Sequence, residues 1–154
     1  MSPLPIVSNS SPLIALTQIR QLELLERLFI TVLVPTAVTR EAVSVVLPAW
    51  IVERSLSQPI GPRILRASLG AGESEAMSLA LEVGARWVIL DDRPARRLAE
   101  VLGLPVIGTL GVLLASKRRG FLSAVRPRLD DLVNSGFRIA PDLYERIVTD
   151  AGES

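Results

Sequence analysis

The chain contains no cysteine and no histidine. Without thiols there is no disulfide framework and no thiolate nucleophile, and without imidazole there is no histidine general base. Lacking both, it also lacks the usual ligands of zinc. Aromatic residues are 4% of the chain, too few for extensive stacking on nucleobases. No apolar run approaches the roughly 18 to 20 residues that a membrane helix requires. The first residues lack the basic start and long apolar stretch of a signal peptide. A cytoplasmic protein with no membrane association is the expectation. Lysine is scarce as well: of 17 basic residues, only Lys117 is not arginine.

What is present narrows the chemistry. The 154 residues are 49% hydrophobic and 21% charged, with a net charge of +1. That balance, with no repeat or linker, fits one domain spanning residues 1–154. Only carboxylates remain as metal ligands, and acidic oxygen sites suit hard ions such as Mg²⁺ or Mn²⁺. For a hydrolase of this composition, a metal ion held by Asp and Glu is the first mechanism to test. The planar arginine fork, in turn, suits phosphate.

Hydrophobic periodicity predicts alternating strands and helices. Strands are expected at 4–8, 31–35, 86–92 and 105–108, with a further one near 50–55 and an edge strand at 137–140. Helices are expected at 11–19, 21–29, 36–46, 72–84, 93–103, 109–120, 125–136 and 141–151, plus a short one near 62–68. Ser11 is read as an N-cap ahead of Pro12, and Thr36 as another. Such alternation implies βαβ units and a mainly parallel sheet covered on both faces. Ligands of such sheets bind beyond the carboxyl ends of the strands. That rule selects Asn9 after the first strand, Glu41 on the helix after the second, and Asp91 and Asp92 at the end of the strand "RWVILDD".

Glu73 opens a helix and Asp91 closes the next strand, 18 residues later. A helix of about 12 residues spans about 18 Å and the strand runs back beside it, so the two carboxylates are expected at one edge of the sheet. Crowded carboxylates repel unless a cation neutralises them. Each acid also has a plainer reading. Glu73 and Glu75 suit the positive end of a helix dipole, Asp92 is placed to cap the next helix, and Asn9 with its serines could form a simple turn.

The segments "IVSNSSPLIAL", "VPTAVTREA", "GAGESEAMSLALEVGARWVILDDRPARRLAEVLG" and "GTLGVLLASKRRGF" together resemble the PIN-domain superfamily, in particular its VapC-like branch, over roughly residues 5 to 148. The resemblance implies a three-layer α/β/α fold with a central, mainly parallel sheet of about 4–5 strands. It also implies a Mg²⁺- or Mn²⁺-dependent ribonuclease, the toxin of a toxin-antitoxin pair, neutralised by a small antitoxin and assembled as a homodimer. Residue by residue, the family's acids fall on Asn9, Glu41, Glu73 and Asp91, with Asp92 as a further acid and the small hydroxyl residue at Ser10 or Ser11. Asn9 departs from the family's aspartate. Its amide oxygen brings no charge, so a metal would be held more weakly and a catalytically weakened binding module is the alternative. Arg93, Arg96, Arg97, Lys117, Arg118 and Arg119 are the candidates for RNA backbone contacts. The last three also suit the negative end of their helix.

Overall fold

The computed structural model describes residues 4–58 and 69–153. Five short strands, β1 (Ile6–Ser8), β2 (Val32–Val34), β3 (Ile51–Glu53), β4 (Trp87–Ile89) and β5 (Val106–Ile107), form one sheet in the order β3-β2-β1-β4-β5. Every pairing is parallel. The described helices are α1 (Ser10–Gln18), α2 (Glu23–Phe29), α3 (Thr36–Glu41), α4 (Ala71–Val83), α5 (Arg93–Val101), α6 (Thr109–Arg118), α7 (Arg126–Asn134) and α8 (Pro141–Asp150).

The two-residue period of the strands divides the interior into two layers. Ile6 and Ile89 face a core shared with Leu13 and Leu16 of α1, Leu24 and Leu25 of α2, Val112 and Leu113 of α6, Leu129 of α7 and Val148 of α8. Val7, Val88 and Leu90 face the opposite core, built from Ala76, Met77, Leu79 and Ala80 of α4 with Ala95 and Ala99 of α5. Small residues dominate the second layer, which lets α4 and α5 approach the sheet closely. The expected α/β/α layering is thus present, with a sheet of five strands.

Element boundaries differ from the expected ones where local chemistry is ambiguous. The first helix begins at Ser10 with Asn9 as its N-cap, not Ser11. Pro12 is then the third helical residue, still within the turn whose N–H groups have no helical partner, so its missing donor costs nothing there. Pro35, not Thr36, precedes α3, and that helix stops at Glu41 instead of continuing to 46. The run after it, Val43 to Val46, is rich in β-branched valine; Val43 and Val46 are exposed and only Val45 is buried, too little packing to offset the weak helix propensity. Residues 137–140 join no strand. The short helix expected near 62–68 lies outside the described residues.

The last described residue closes the fold. Glu153 accepts hydrogen bonds from Lys117 Nζ at 2.8 Å, from Val125 N at 2.7 Å and from Arg126 N at 3.1 Å. One carboxylate thereby joins the end of α6 to the start of α7. The Lys117 ammonium, then the two backbone donors, hold the Glu153 carboxyl down at about 2. A carboxylate depressed in the folded state stabilises the protein fully above its unfolded value and ceases to do so as pH falls through the folded value. Wild type is therefore expected to be more stable than Glu153→Gln at neutral pH. The gap, read from urea unfolding at a series of pH values, is expected to close between about pH 4.5 and about pH 2.

Candidate functional site

Asn9 lies one residue past β1, and its N–H donates to Ile89 O at 3.0 Å, extending the β1–β4 ladder by one rung. Its side chain therefore continues the face of Val7, toward α4. An asparagine at an N-cap ordinarily accepts a hydrogen bond from the first turn of its helix. Here it makes no such bond. Asn9 is 1% exposed, and its Oδ1 has no hydrogen-bond partner. An unsatisfied buried carbonyl oxygen costs about 1–3 kcal/mol, which makes this atom the clearest anomaly at the sheet edge.

Gly72 explains where that oxygen points. A Cβ at position 72 would lie 2.9 Å from Asn9 Oδ1 and 2.8 Å from Glu41 Oε2, with Glu41 Oε1 also pressed against it. Glycine leaves a space into which the Asn9 amide and the Glu41 carboxylate both reach. Glu41 comes from the end of α3, and Ser10 Oγ donates to its Oε2 at 3.2 Å. Of the two serines expected to supply a hydroxyl, Ser10 is buried beside Glu41 while Ser11 is exposed. Glu75 fixes the relation of the two helices from the other side: its Oε1, on α4, accepts the N–H of Ala37 in α3 at 3.1 Å. Glu75 was expected to serve only the dipole of its own helix.

Asp91 stands on the other side of the same edge. Ser8 pairs with Ile89, so Asp91 falls two residues beyond that pair and turns toward α6. Its Oδ1 accepts Thr109 N at 2.8 Å and its Oδ2 accepts Thr109 Oγ1 at 2.6 Å. The Asp91 carboxylate thus sits at the positive start of α6, a favourable place for an anion. Asp92 caps α5, accepting the Ala95 N–H at 3.0 Å. Glu73, the third residue of α4, folds back over the N-cap: a Cβ on Gly70 would lie 2.7 Å from Glu73 Oε2. That is the position from which a helix-opening glutamate reaches its cap residue. Among the described residues, no three acidic side chains gather closely enough to hold a metal ion by themselves.

Asn9 Oδ1 and the two Glu41 oxygens form a small set of hard oxygen donors with one formal charge, around a space that any Cβ would fill. This set fits a hard divalent cation in chemistry, with Ser10 orienting one ligand. Gly72 and Thr109 were not anticipated from the sequence. A glycine in the first turn of a helix and a threonine opening another carry no local signal of what they face.

The basic clusters separate. Arg93, Arg96 and Arg97, on and beside the start of α5, line a cavity that also includes Asp91. Lys117, Arg118 and Arg119 end α6, which runs back along the sheet, and Arg118 and Arg119 border a cavity with Leu4, Arg86 and Trp87 at the strand starts. They lie at the opposite edge from Asn9 and Asp91, and Lys117 is held by Glu153.

The family model DUF3368, a PIN domain, matches residues 5–153. No curated protein and no solved structure matches the chain.

The double hydrogen bond from Thr109 is expected to hold the Asp91 carboxylate in place. Thr109→Val keeps the shape and removes the hydroxyl, and is expected to cost about 1.5–3 kcal/mol, the range for a bond to a charged group. Thr109→Ser retains the donor and is expected to lose much less. Chemical denaturation of the two variants measures the difference.

Proposed function

The chain belongs to the PIN-domain family, and from that premise we propose that it is a divalent-metal-dependent endoribonuclease of the VapC type, the toxin half of a toxin-antitoxin pair. PIN domains are nuclease-type modules that generally bind nucleic acids and use divalent metals. The observation that carries the reading is the buried, unpartnered Oδ1 of Asn9 converging with the Glu41 carboxylate over Gly72. In this proposal a small antitoxin neutralises the enzyme, and the working form is a homodimer.

Asn9 Oδ1 and Glu41 would hold the Mg²⁺ or Mn²⁺, with Asp91 further along the same sheet edge; Glu73, expected as a further ligand, is folded over Gly70. When bound, the ion supplies positive charge that acidifies a coordinated water and balances charge developing on the phosphodiester. Ser10 holds Glu41 by its Oε2, and Thr109 holds Asp91 by both oxygens. Each Asp91 oxygen keeps a lone pair free to accept a proton from the attacking water. Attack of that water on phosphorus breaks the P–O3′ bond, and the departing 3′-oxygen takes up a proton from solvent, leaving a 3′-hydroxyl and a 5′-phosphate. Asp92 acts from its place as the α5 cap, and Ser11 lies exposed next to Ser10.

A second reading rests on a specific observation. Asn9 contributes no charge and Glu73 folds over Gly70, so the site is poorer in negative charge than a four-acid one. The same fold would then act as a nucleic-acid- or protein-binding module with weakened catalysis or none.

Cleavage of single-stranded RNA is expected to require Mn²⁺ or Mg²⁺ and to stop with EDTA. Asp91→Asn is expected to reduce it about 100-fold or more, and cleavage unaffected by either change would sink the proposal. Asn9→Asp separates the two readings. A gain of about tenfold or less in Mn²⁺ affinity and in rate fits a working native site, whereas activity appearing only in the variant assigns the native chain to the binding module.

A further inference from the structure

A cavity of about 580 Å³ opens beside Asp91, on the outer side of β5. Its size falls in the range of roughly 300–1,000 Å³ usual for small-ligand sites. Arg93, Arg96 and Arg97 of α5 line one wall, and Arg138 and Phe137, from the segment between α7 and α8, line the other with Leu143. None of these four guanidinium groups has an ion pair or hydrogen bond among the described residues, although Glu100 and Asp91 both line the cavity. Four unpaired arginines around two carboxylates leave a local excess of positive charge.

The cavity does not end there. Arg93, Phe137, Arg138 and Ala140 also line a shallower neighbouring hollow that extends to Val133 and Gly136. The combined groove has one end at the proposed reactive edge, cationic groups along its length, and an aromatic ring where its two compartments meet.

Accepting the nuclease reading above, the geometry points to this groove as the track for the nucleotides that flank the scissile bond of a single-stranded nucleic acid. Arg93 and Arg138 take successive phosphates, and Phe137 takes a base on its ring. A chain with anions at regular intervals and flat apolar groups between them matches this alternation. Arg96 has a further role at the entrance: a Cβ on Gly108 would lie 2.8 Å from Arg96 Nη1 and 3.0 Å from Asp91 Oδ1. Guanidinium and carboxylate therefore face the same glycine, one suited to a phosphate oxygen and the other to the water that attacks it. The far edge also has a cavity, bordered by Arg86, Arg118 and Arg119, but it opens at the strand starts, away from Asp91; Lys117 there is paired and the Arg119 guanidinium sits 5.4 Å from the Phe121 ring centre.

The test is fluorescence anisotropy of a labelled single-stranded RNA of about 8 nucleotides on the full chain in EDTA, where binding is read without cleavage. Arg93→Gln/Arg138→Gln is expected to weaken binding roughly tenfold and to lower the salt slope by about 1.4, as for two lost single-strand phosphate contacts. Phe137→Leu keeps an apolar side chain for packing and is expected to lose roughly fivefold through the missing stack, with circular dichroism confirming the fold. Arg118→Gln/Arg119→Gln is expected to bind as wild type. Equal loss in the far-edge variant, or none in Arg93→Gln/Arg138→Gln, overturns the groove. Displacement of the RNA by an equal concentration of an oligoglutamate peptide overturns it in favour of an acidic protein segment. RNA held in the groove without cleavage on adding Mn²⁺ retains this inference and removes the nuclease reading. Cleavage with an unchanged KM in Arg93→Gln/Arg138→Gln does the reverse.

Discussion

The structure depends first on the register between β1 and β4, in which Ser8 stands opposite Ile89. These two strands are the centre and near-centre of the sheet, and their alternation decides which core each side chain enters. The ladder continues one rung further through the Asn9 N–H. Because of that rung, Asn9 is fixed as the end of a strand before it is the start of a helix. Its amide inherits the face of Val7 and meets α4, while Asp91 inherits the face of Ile89 and meets α6. A slip of one residue would exchange these faces and dismantle the site along with both cores.

Around this constraint the fold holds its polar groups through helix ends. Glu75 ties α3 to α4, Thr109 ties α6 to Asp91, and Glu153 ties α6 to α7. Each bond joins a carboxylate to donors in the first turn of a helix or just before it, where N–H groups lack helical partners. The same arrangement that satisfies the termini therefore positions the acids. Asn9 is the exception, a polar residue at a helix start whose side chain is not used for capping. That exception leaves a buried oxygen at the sheet edge without a hydrogen-bond partner.

The helical environment also accounts for the division of labour among the basic residues. A helix that follows a parallel strand must return to the opposite edge of the sheet. Arginines at the start of α5 consequently stay with Asp91, whereas Lys117, Arg118 and Arg119 are carried the full length of α6 away from it. Clusters of similar composition receive different surroundings from their position in the crossover alone.

Periodicity in the sequence was enough for the five strands of the sheet, most helices, the parallel sheet and its two covered faces, because burial on both faces leaves continuous apolar runs that local reading detects; the edge strand expected at 137–140, without such burial, did not form. It also placed Asn9, Glu41 and Asp91 at the carboxyl edge, since that follows from topology. The ends of α1 and α3 were less legible, because serine, threonine, asparagine and proline all satisfy a helix start and only packing chooses among them. The direction of each side chain belonged to the tertiary structure. Glu73 and Asp91 have the spacing to meet, yet a glutamate at the third position of a helix is drawn to its own cap and Asp91 is drawn to Thr109. Gly72 became part of the site only when α3 was laid against α4. What a residue faces depends on elements far away in the chain, and no local pattern encodes it.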